Sequence, residues 1–506
     1  MMAENGESTL RAPAIIPHMD LHSLDEKTCE RARLARDARF DGLFFTAVTS
    51  TGIYCRPVCP APAPRPANVR YYAHAAAAAA AGFRPCLRCR PELAPAAVQH
   101  RYQHAWVSAA LELIADGELH AGSVESLAGR IGLSTRQLRR LFLQVVGATP
   151  KAVHANRRLL LAKQLLTETA LPMTEVAQAA GFNSLRRFNA AFREGCGMAP
   201  TIIRRHSGTN AGNMLTLRLA YRPPLDFGVM LGFLGKRAIP GIEGVTATSY
   251  ERVAGPRERS TWMRVTAAAT QPELQLEIST ADPRAIPGIV QRTRRIFDLD
   301  ADLRPVHAAL STSDMLKTGI KRRPGLRVPG CWDGFELAVR AVIGQQISVA
   351  GATTLTRRLV DRYGEQRNDD APEGLNRVFP APERLAEAAL DDIGLPKARA
   401  ATLRGLAAAT VVGEIDFRAG QNLDDFVQGL TRLRGIGPWT AHYIAMRALR
   451  HPDAFPAGDL VLQQMLGGER RLSERETEAV SQAWRPWRAY AVLHLWYLSG
   501  DQRALK

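Results

Sequence analysis

Two close pairs of cysteines constrain this chain more than any other feature. Cys55 and Cys59 lie in Gly52-Ile53-Tyr54-Cys55-Arg56-Pro57-Val58-Cys59, and Cys86 and Cys89 in Phe83-Arg84-Pro85-Cys86-Leu87-Arg88-Cys89. Each pair is held by a turn containing proline, so four thiolates can converge into the tetrahedral shell that Zn²⁺ prefers, and a closed four-sulfur shell is normally structural. One zinc ion held by Cys55, Cys59, Cys86 and Cys89 is therefore expected. The surrounding segment, 25–96, supports this from a second direction. It offers a short strand-like run from Gly42 to Val48, a proline-rich stretch from Pro57 to Pro66 and an alanine-rich helix from Ala75 to Ala81. That is too little to bury a large core, and small domains of this kind gain much of their folding free energy from the metal. Arginines flank both pairs, and a deprotonated sulfur among cations is also a nucleophile.

A net charge of +17 over 506 residues points to a polyanionic partner, and the length suggests several domains. That partner is either nucleic acid or an anionic membrane; no apolar run reaches the roughly 18 residues of a membrane span, so a span is unsupported, and no membrane partner is expected. Residues 1–24 read as a flexible N-terminus, and Met1 to Pro17 are too polar for a secretory signal. Seven cysteines, four of them in metal-like pairs, fit a reducing cytoplasm better than a disulfide framework. Cys29, Cys196 and Cys331 are isolated and carry no assigned role.

From 99 to 206 the pattern is helical throughout, and one subpattern occurs twice. Val124 to Ser134 and Thr174 to Ser184 each give a short helix, a glycine-containing turn and a serine suited to an N-cap. Each is followed by an arginine-rich amphipathic helix, which makes a tandem helix-turn-helix. Recognition helices are expected to begin near Ser134 and Ser184. That leaves Arg136, Gln137, Arg139, Arg140, Arg186, Arg187 and Asn189 as candidate base or phosphate contacts, since arginine can reach guanine bidentately. Pro150 to Glu168, rich in leucine and alanine, would hold the two units in register.

Residues 207–214 read as a polar, glycine-bearing linker. Beyond it, 215–300 alternates short strand-like runs such as Leu274 to Ile278 with helices at about 226–238 and 286–297, a small α+β domain. The remainder, 301–506, is nearly all helix. It contains Leu433-Arg434-Gly435-Ile436-Gly437-Pro438-Trp439, where Gly435 and Gly437 bracket Ile436 in a tight turn whose backbone N–H groups can approach a DNA phosphate. Downstream, Phe455-Pro456-Ala457-Gly458-Asp459-Leu460 places one carboxylate at a helix start, where an N-cap and a functional acid are both open readings.

Three resemblances extend these readings. Arg36 to Gly42, Thr51 to Pro57 and Ala81 to Pro91 resemble the N-terminal domain of Ada-type adaptive-response proteins. That resemblance implies that Cys55 takes the methyl group of a DNA methylphosphotriester once and irreversibly. Methylation would remove one negative charge, reduce repulsion against phosphate and convert damage into tighter promoter binding. The paired helix-turn-helix units are similar to the AraC family of transcription regulators. Tyr221 to Asp226, Met230 to Leu234, Arg327 to Cys331, Val342 to Val349, Leu433 to Ala441 and Trp484 to Tyr490 resemble the AlkA-type DNA-3-methyladenine glycosylases II of the helix-hairpin-helix superfamily.

By that last resemblance Asp459 is the catalytic carboxylate, and Phe233, Trp439, Tyr443 and Trp496 form the pocket for the flipped base. Trp439 stands where bifunctional relatives carry a Schiff-base lysine, which implies a monofunctional enzyme without lyase activity. There are departures. Gln346 replaces a leucine wedge that inserts into DNA, Gly458 replaces an acidic residue, and the Pro-Cys-His-Arg motif of the Ada methyltransferase domain is absent.

The expected fold class is therefore multidomain, mainly α with small α+β parts: a zinc-bound α+β domain, a tandem helix-turn-helix, a small α+β domain and an all-α helix-hairpin-helix glycosylase domain. The expected function is excision of alkylated purines such as 3-methyladenine, joined to damage-sensing transcription activation. Double-stranded DNA is the expected partner, both as alkylated lesions and as promoter sites, with RNA polymerase a further partner of an activator. The expected setting is the nucleoid in a bacterial cytoplasm. The contrasting reading is a regulator only, with an inactive glycosylase-like half that holds DNA.

Overall fold

The computed structural model describes residues 25–96, 105–205, 214–254, 261–367, 371–418 and 420–504. The readings of 1–24 as a flexible terminus and of 207–213 as linker fall outside the described residues.

In the N-terminal segment the apolar run becomes the strand Phe45–Val48. It is flanked antiparallel by Val69–Tyr72 and Ile53–Cys55, and the two-residue strand Arg84–Pro85 joins Ile53–Cys55 in parallel. The helix Ala75–Ala80 lies against this sheet. An all-alanine helix carries no bulk beyond Cβ, so it can be approached from both sides. Ala75 and Ala78 pack with Phe45, Ala47 and Tyr54, whereas Ala76 belongs to the core of the following helices.

Ser134 caps the helix Thr135–Val145 and Ser184 caps Leu185–Cys196, as the sequence predicts for the two helix-turn-helix units. Between them runs the 19-residue helix Pro150–Glu168, entered through Thr149 as cap and proline in the first turn. This helix is a shared frame. Lys163 on it pairs with Glu92 of the cysteine-rich segment at 2.6 Å, both side chains sealed from solvent. Glu168 at its end accepts Arg90 at 2.8 Å and Arg218 of the next domain at 2.9 Å. Breaking one partner of the buried Lys163–Glu92 pair costs about 3–5 kcal/mol, whereas the Arg218 side chain is 40% exposed and its pair contributes less.

The α+β part is a five-stranded antiparallel sheet in the order Leu215–Ala220, Glu273–Ser279, Trp262–Ala267, Ser249–Val253, Glu243–Val245. The helices Phe227–Gly235 and Ile286–Ile296 accompany it. Its buried face and the second helix-turn-helix unit share one continuous apolar cluster that includes Leu165, Phe188, Phe192, Leu217, Leu276 and Phe297. A core of that kind crosses the 207–214 segment, so the two parts are bound by the hydrophobic effect as well as by ions.

The C-terminal part is helical. Its departure from the all-helical expectation is a short ribbon of Glu365–Gln366 against Arg377–Val378. Its large core runs from Ile239 to Leu495, and Arg450 reaches back to the buried Glu112 at 2.6 Å. No helix among the described residues is long and apolar enough to cross a membrane.

Candidate functional site

Asp459 is the N-cap of the helix Leu460–Gly467, so the cap reading of this residue holds. The carboxylate does more than cap. Oδ1 accepts the N–H groups of Val461 at 3.0 Å and Leu462 at 3.1 Å, and also the indole N–H of Trp496 at 3.2 Å. Oδ2 accepts the indole N–H of Trp439 at 3.0 Å. Four donors thus fix both oxygens, and two of those donors are aromatic rings that bring flat apolar surfaces beside an anion.

Trp439 and Tyr443 lie four residues apart on the helix Pro438–Arg447 and so share a face. Their rings are parallel to within 4° at 5.4 Å, and Trp496 leans over Tyr443 at 6.5 Å. The structure therefore brings Trp439, Tyr443 and Trp496 together with Asp459. Phe233 is placed differently. It is buried, its face lies 3.8 Å from the Arg237 guanidinium, and it joins the others through Arg447, which sits 5.0 Å from the Phe233 ring and donates to the Tyr443 hydroxyl at 2.9 Å.

Arg447 is itself locked, donating to the carbonyls of Pro329 and Gly330. Burial acts to raise the Tyr443 phenol, but the Arg447 and Arg237 guanidiniums outweigh it and bring the phenol down to about 8. Neither arginine was singled out by sequence. Arg237 sits one helical turn beyond Phe233, and that i to i+4 spacing was the available signal.

The glycine hairpin joins the helices Leu423–Thr431 and Pro438–Arg447. Gly435 has φ +95°, and a β-carbon there would lie 2.1 Å from Thr402 Oγ1, so both conformation and space require glycine. Gly437 is the N-cap of the second helix, which opens with Pro438. The Ile436 side chain is buried, so only its backbone can face a ligand.

Gln345 ties this hairpin to the neighbouring loop by donating to Gly435 O at 2.9 Å and Thr440 Oγ1 at 3.0 Å. Gln345 lies in the Val342 to Val349 segment, and nothing in the sequence alone assigns it this role. The next residue, Gln346, is exposed with φ +59°, a strained backbone for a non-glycine residue that turns its side chain away from the core.

In the N-terminal domain the parallel pairing of Tyr54 with Pro85 brings Cys55 and Cys86 to the same end of the sheet. One ligand atom from each of Cys55, Cys59, Cys86 and Cys89 lies within 4.8 Å of all the others. Four convergent sulfurs with no disulfide among them are the donor set of a structural zinc site, and the residues present fit one Zn²⁺. Cys86 and Cys89 are buried, and Cys55 and Cys59 are half-buried. The Arg56 N–H donates to Cys89 Sγ at 3.3 Å, and its guanidinium donates to Cys89 O at 3.0 Å and pairs with Asp41. Cys29 and Cys196 are buried.

On the helix-turn-helix units Arg136, Arg139, Arg140, Arg186 and Arg187 are exposed, and Asn189 is half-buried. Gln137 is exposed but partly committed: its amide oxygen accepts from both the N–H and the hydroxyl of Ser134, closing a capping box. Only its NH₂ group remains to meet DNA, which narrows the sequence expectation for this residue.

Four family profiles match the chain in order. Residues 28–92 match the metal binding domain of Ada and 127–206 a helix-turn-helix domain. Residues 216–333 match the AlkA N-terminal domain and 339–489 the HhH-GPD superfamily of base excision DNA repair proteins. A probable bifunctional transcriptional activator/DNA repair enzyme AlkA of Mycobacterium tuberculosis is 39% identical over 481 residues, 93% of this chain and 96% of that protein. The DNA-3-methyladenine glycosylase 2 of Escherichia coli is 36% identical over 56% of this chain and 98% of its own length. The bifunctional activator and repair enzyme Ada of the same organism is 38% identical over 35% of this chain and 48% of its own.

Proposed function

Because this chain belongs to the family of bifunctional transcriptional activator/DNA repair enzymes of the AlkA type, we propose that it excises alkylated purines such as 3-methyladenine from DNA and reports methylphosphotriester damage through Cys55. The observation that carries the excision reading is the Asp459 carboxylate held between the indole N–H groups of Trp439 and Trp496.

In this mechanism the hairpin backbone at Gly435, Ile436 and Gly437 grips a phosphate, and Gln346 fills the space vacated as the damaged nucleotide turns out of the stack. The base enters against Trp439, Tyr443 and Trp496, whose π faces suit an electron-poor, positively charged ring, with Phe233 supporting the floor through Arg447. Asp459 stabilises the oxocarbenium-like sugar and orients water. The water oxygen bonds to the anomeric carbon, the N-glycosidic bond breaks, and the base leaves neutral with the electron pair while Asp459 accepts the water proton. With Trp439 in place of an amine nucleophile, no Schiff base forms and the strand stays intact.

Cys55, Cys59, Cys86 and Cys89 would hold one Zn²⁺, which when bound would keep their sulfurs as thiolates at neutral pH. The Cys55 sulfur attacks the methyl carbon of a methylphosphotriester, an S–CH₃ bond forms, the C–O bond breaks, and a phosphodiester anion leaves. Cys55 and Cys59 are both half-buried, so exposure does not choose between them, and the assignment of Cys55 rests on the match of residues 28–92 to the metal binding domain of Ada. The arginines of the two recognition helices, Arg136, Arg139, Arg140, Arg186 and Arg187, then hold promoter DNA, with Gln137 and Asn189 as further contacts. Recruitment of RNA polymerase follows, on the nucleoid of a bacterial cytoplasm.

Two assays test these readings. Purified chain should release 3-methyladenine from a methylated duplex and leave unbroken abasic strands, and strand scission would contradict the monofunctional reading. Peptide mass mapping after incubation with methylphosphotriester DNA should find one methyl on Cys55, and methyl on Cys59 instead would reassign the acceptor.

A further inference from the structure

The residue leading into Asp459 is Gly458, and its backbone does not adopt the left-handed conformation that favours glycine. A β-carbon at this position would lie 3.6 Å from both carboxylate oxygens of Glu474, which is ordinary contact. The glycine therefore leaves a gap in front of Asp459, and a carboxylate from elsewhere in the chain borders it.

Glu474 opens the helix Glu474–Ser481, where the helix N-terminus favours an anion. Its acidic neighbours are occupied. Glu476 accepts Ser473 N–H and Arg470, and Glu478 accepts Arg488 at 2.6 Å and Gln482 at 2.8 Å. Among the described residues Glu474 has no hydrogen-bond or ion-pair partner. Glu474 is exposed and lines a cavity of about 410 Å³ together with Trp439, His442, Phe455 and the charged Arg475 and Glu478. Trp439 is the residue whose indole fixes Asp459 Oδ2.

We propose that Glu474 is the electrostatic partner of Asp459, setting a second negative charge before the Gly458–Asp459 peptide and thereby favouring lesions whose base is cationic. The proposal rests on the reading of Asp459 as the excision carboxylate. A duplex laid over this cavity displaces water, so a charge that is screened in the free protein acts more strongly once DNA is bound. An unpaired carboxylate also repels the DNA backbone, so its benefit falls on the excision step and its cost on binding. A residue that only supported the helix would show no such split.

The test uses the full chain and defined duplexes carrying either 7-methylguanine, cationic in the nucleoside, or hypoxanthine, neutral. Under single-turnover conditions Glu474→Gln should slow 7-methylguanine release about fivefold, leave hypoxanthine release within about twofold, and bind an abasic duplex at least as tightly. Adding Gly458→Asp to Glu474→Gln should restore release of 7-methylguanine, because it returns a carboxylate to the gap without repairing the first turn of the helix. Wild-type rates in Glu474→Gln, or equal slowing on both bases with no recovery by Gly458→Asp, overturn the proposal. Wild-type chain that releases neither base overturns the Asp459 reading itself, and the proposal with it.

Discussion

Arg222 donates from Nε to the main-chain carbonyl of Asp41 at 2.8 Å, joining the AlkA-like half to the Ada-like domain. Its other nitrogens donate to the carbonyls of Pro95, Ala96 and Asp300. The Asp41 carboxylate holds Arg56, which in turn contacts Cys89. Two buried arginines therefore connect the sulfur cluster to the glycosylase half. Arg222→Ala would leave four carbonyls short of a donor and should cost about 3–5 kcal/mol. Calorimetry should show a lower melting temperature, with the N-terminal and C-terminal parts no longer melting together.

Gly435→Ala tests the hairpin. The substitution places a β-carbon on Thr402 Oγ1 in a backbone conformation that alanine avoids. A loss of about 1–3 kcal/mol in stability is expected, together with weaker duplex binding, because the turn must move away from the phosphate position. Denaturant unfolding and titration with an abasic duplex measure the two effects separately.

Tyr443 should titrate within the working pH range. Its phenol lies at about 8, whereas the ordinary value is 10.0. Between these values the unfolded chain keeps a proton that the folded chain has released, so stability rises with pH across this window. The gain is complete above the unfolded value and is lost as pH falls through about 8. A phenolate absorbance titration of the folded protein should show one early tyrosine, and Tyr443→Phe should remove it.

Chelation of zinc should unfold the N-terminal domain while leaving the C-terminal helices intact. The apolar cluster around Phe45, Ala47, Tyr54, Ala75 and Ala78 is small, and four close sulfurs without a cation repel one another once ionised. Elemental analysis should give one zinc per chain, and hydrogen exchange after chelation should rise first across Phe45–Val48 and Ile53–Cys55.

What the sequence revealed was local. The cap at Ser134, the cap at Ser184 and the helix Pro150–Glu168 follow from short-range rules, because side chain and backbone groups within a few residues decide them. The cysteine spacing announced a metal site for the same reason. Asp459 was legible as a helix start, while its clasp between Trp439 and Trp496 was not, since those indoles arrive from two other helices. Arg447 lies one turn from Tyr443 on its own helix, but its role as the link to Phe233, Pro329 and Gly330 was hidden because those partners lie far away in the chain. The apolar core shared by the second helix-turn-helix unit and the sheet was hidden too, because periodicity shows which face is buried and not what covers it.

The central claim is tested most directly by release of 3-methyladenine from methylated DNA by Asp459→Asn. Asparagine is as good an N-cap as aspartate, so the helix Leu460–Gly467 should keep its start while the carboxylate charge is lost. Release is expected to fall about 10²- to 10⁴-fold with duplex affinity and melting temperature close to those of the unmodified chain. Release at the unmodified rate would contradict the assignment of Asp459 and with it the account of how this chain repairs DNA.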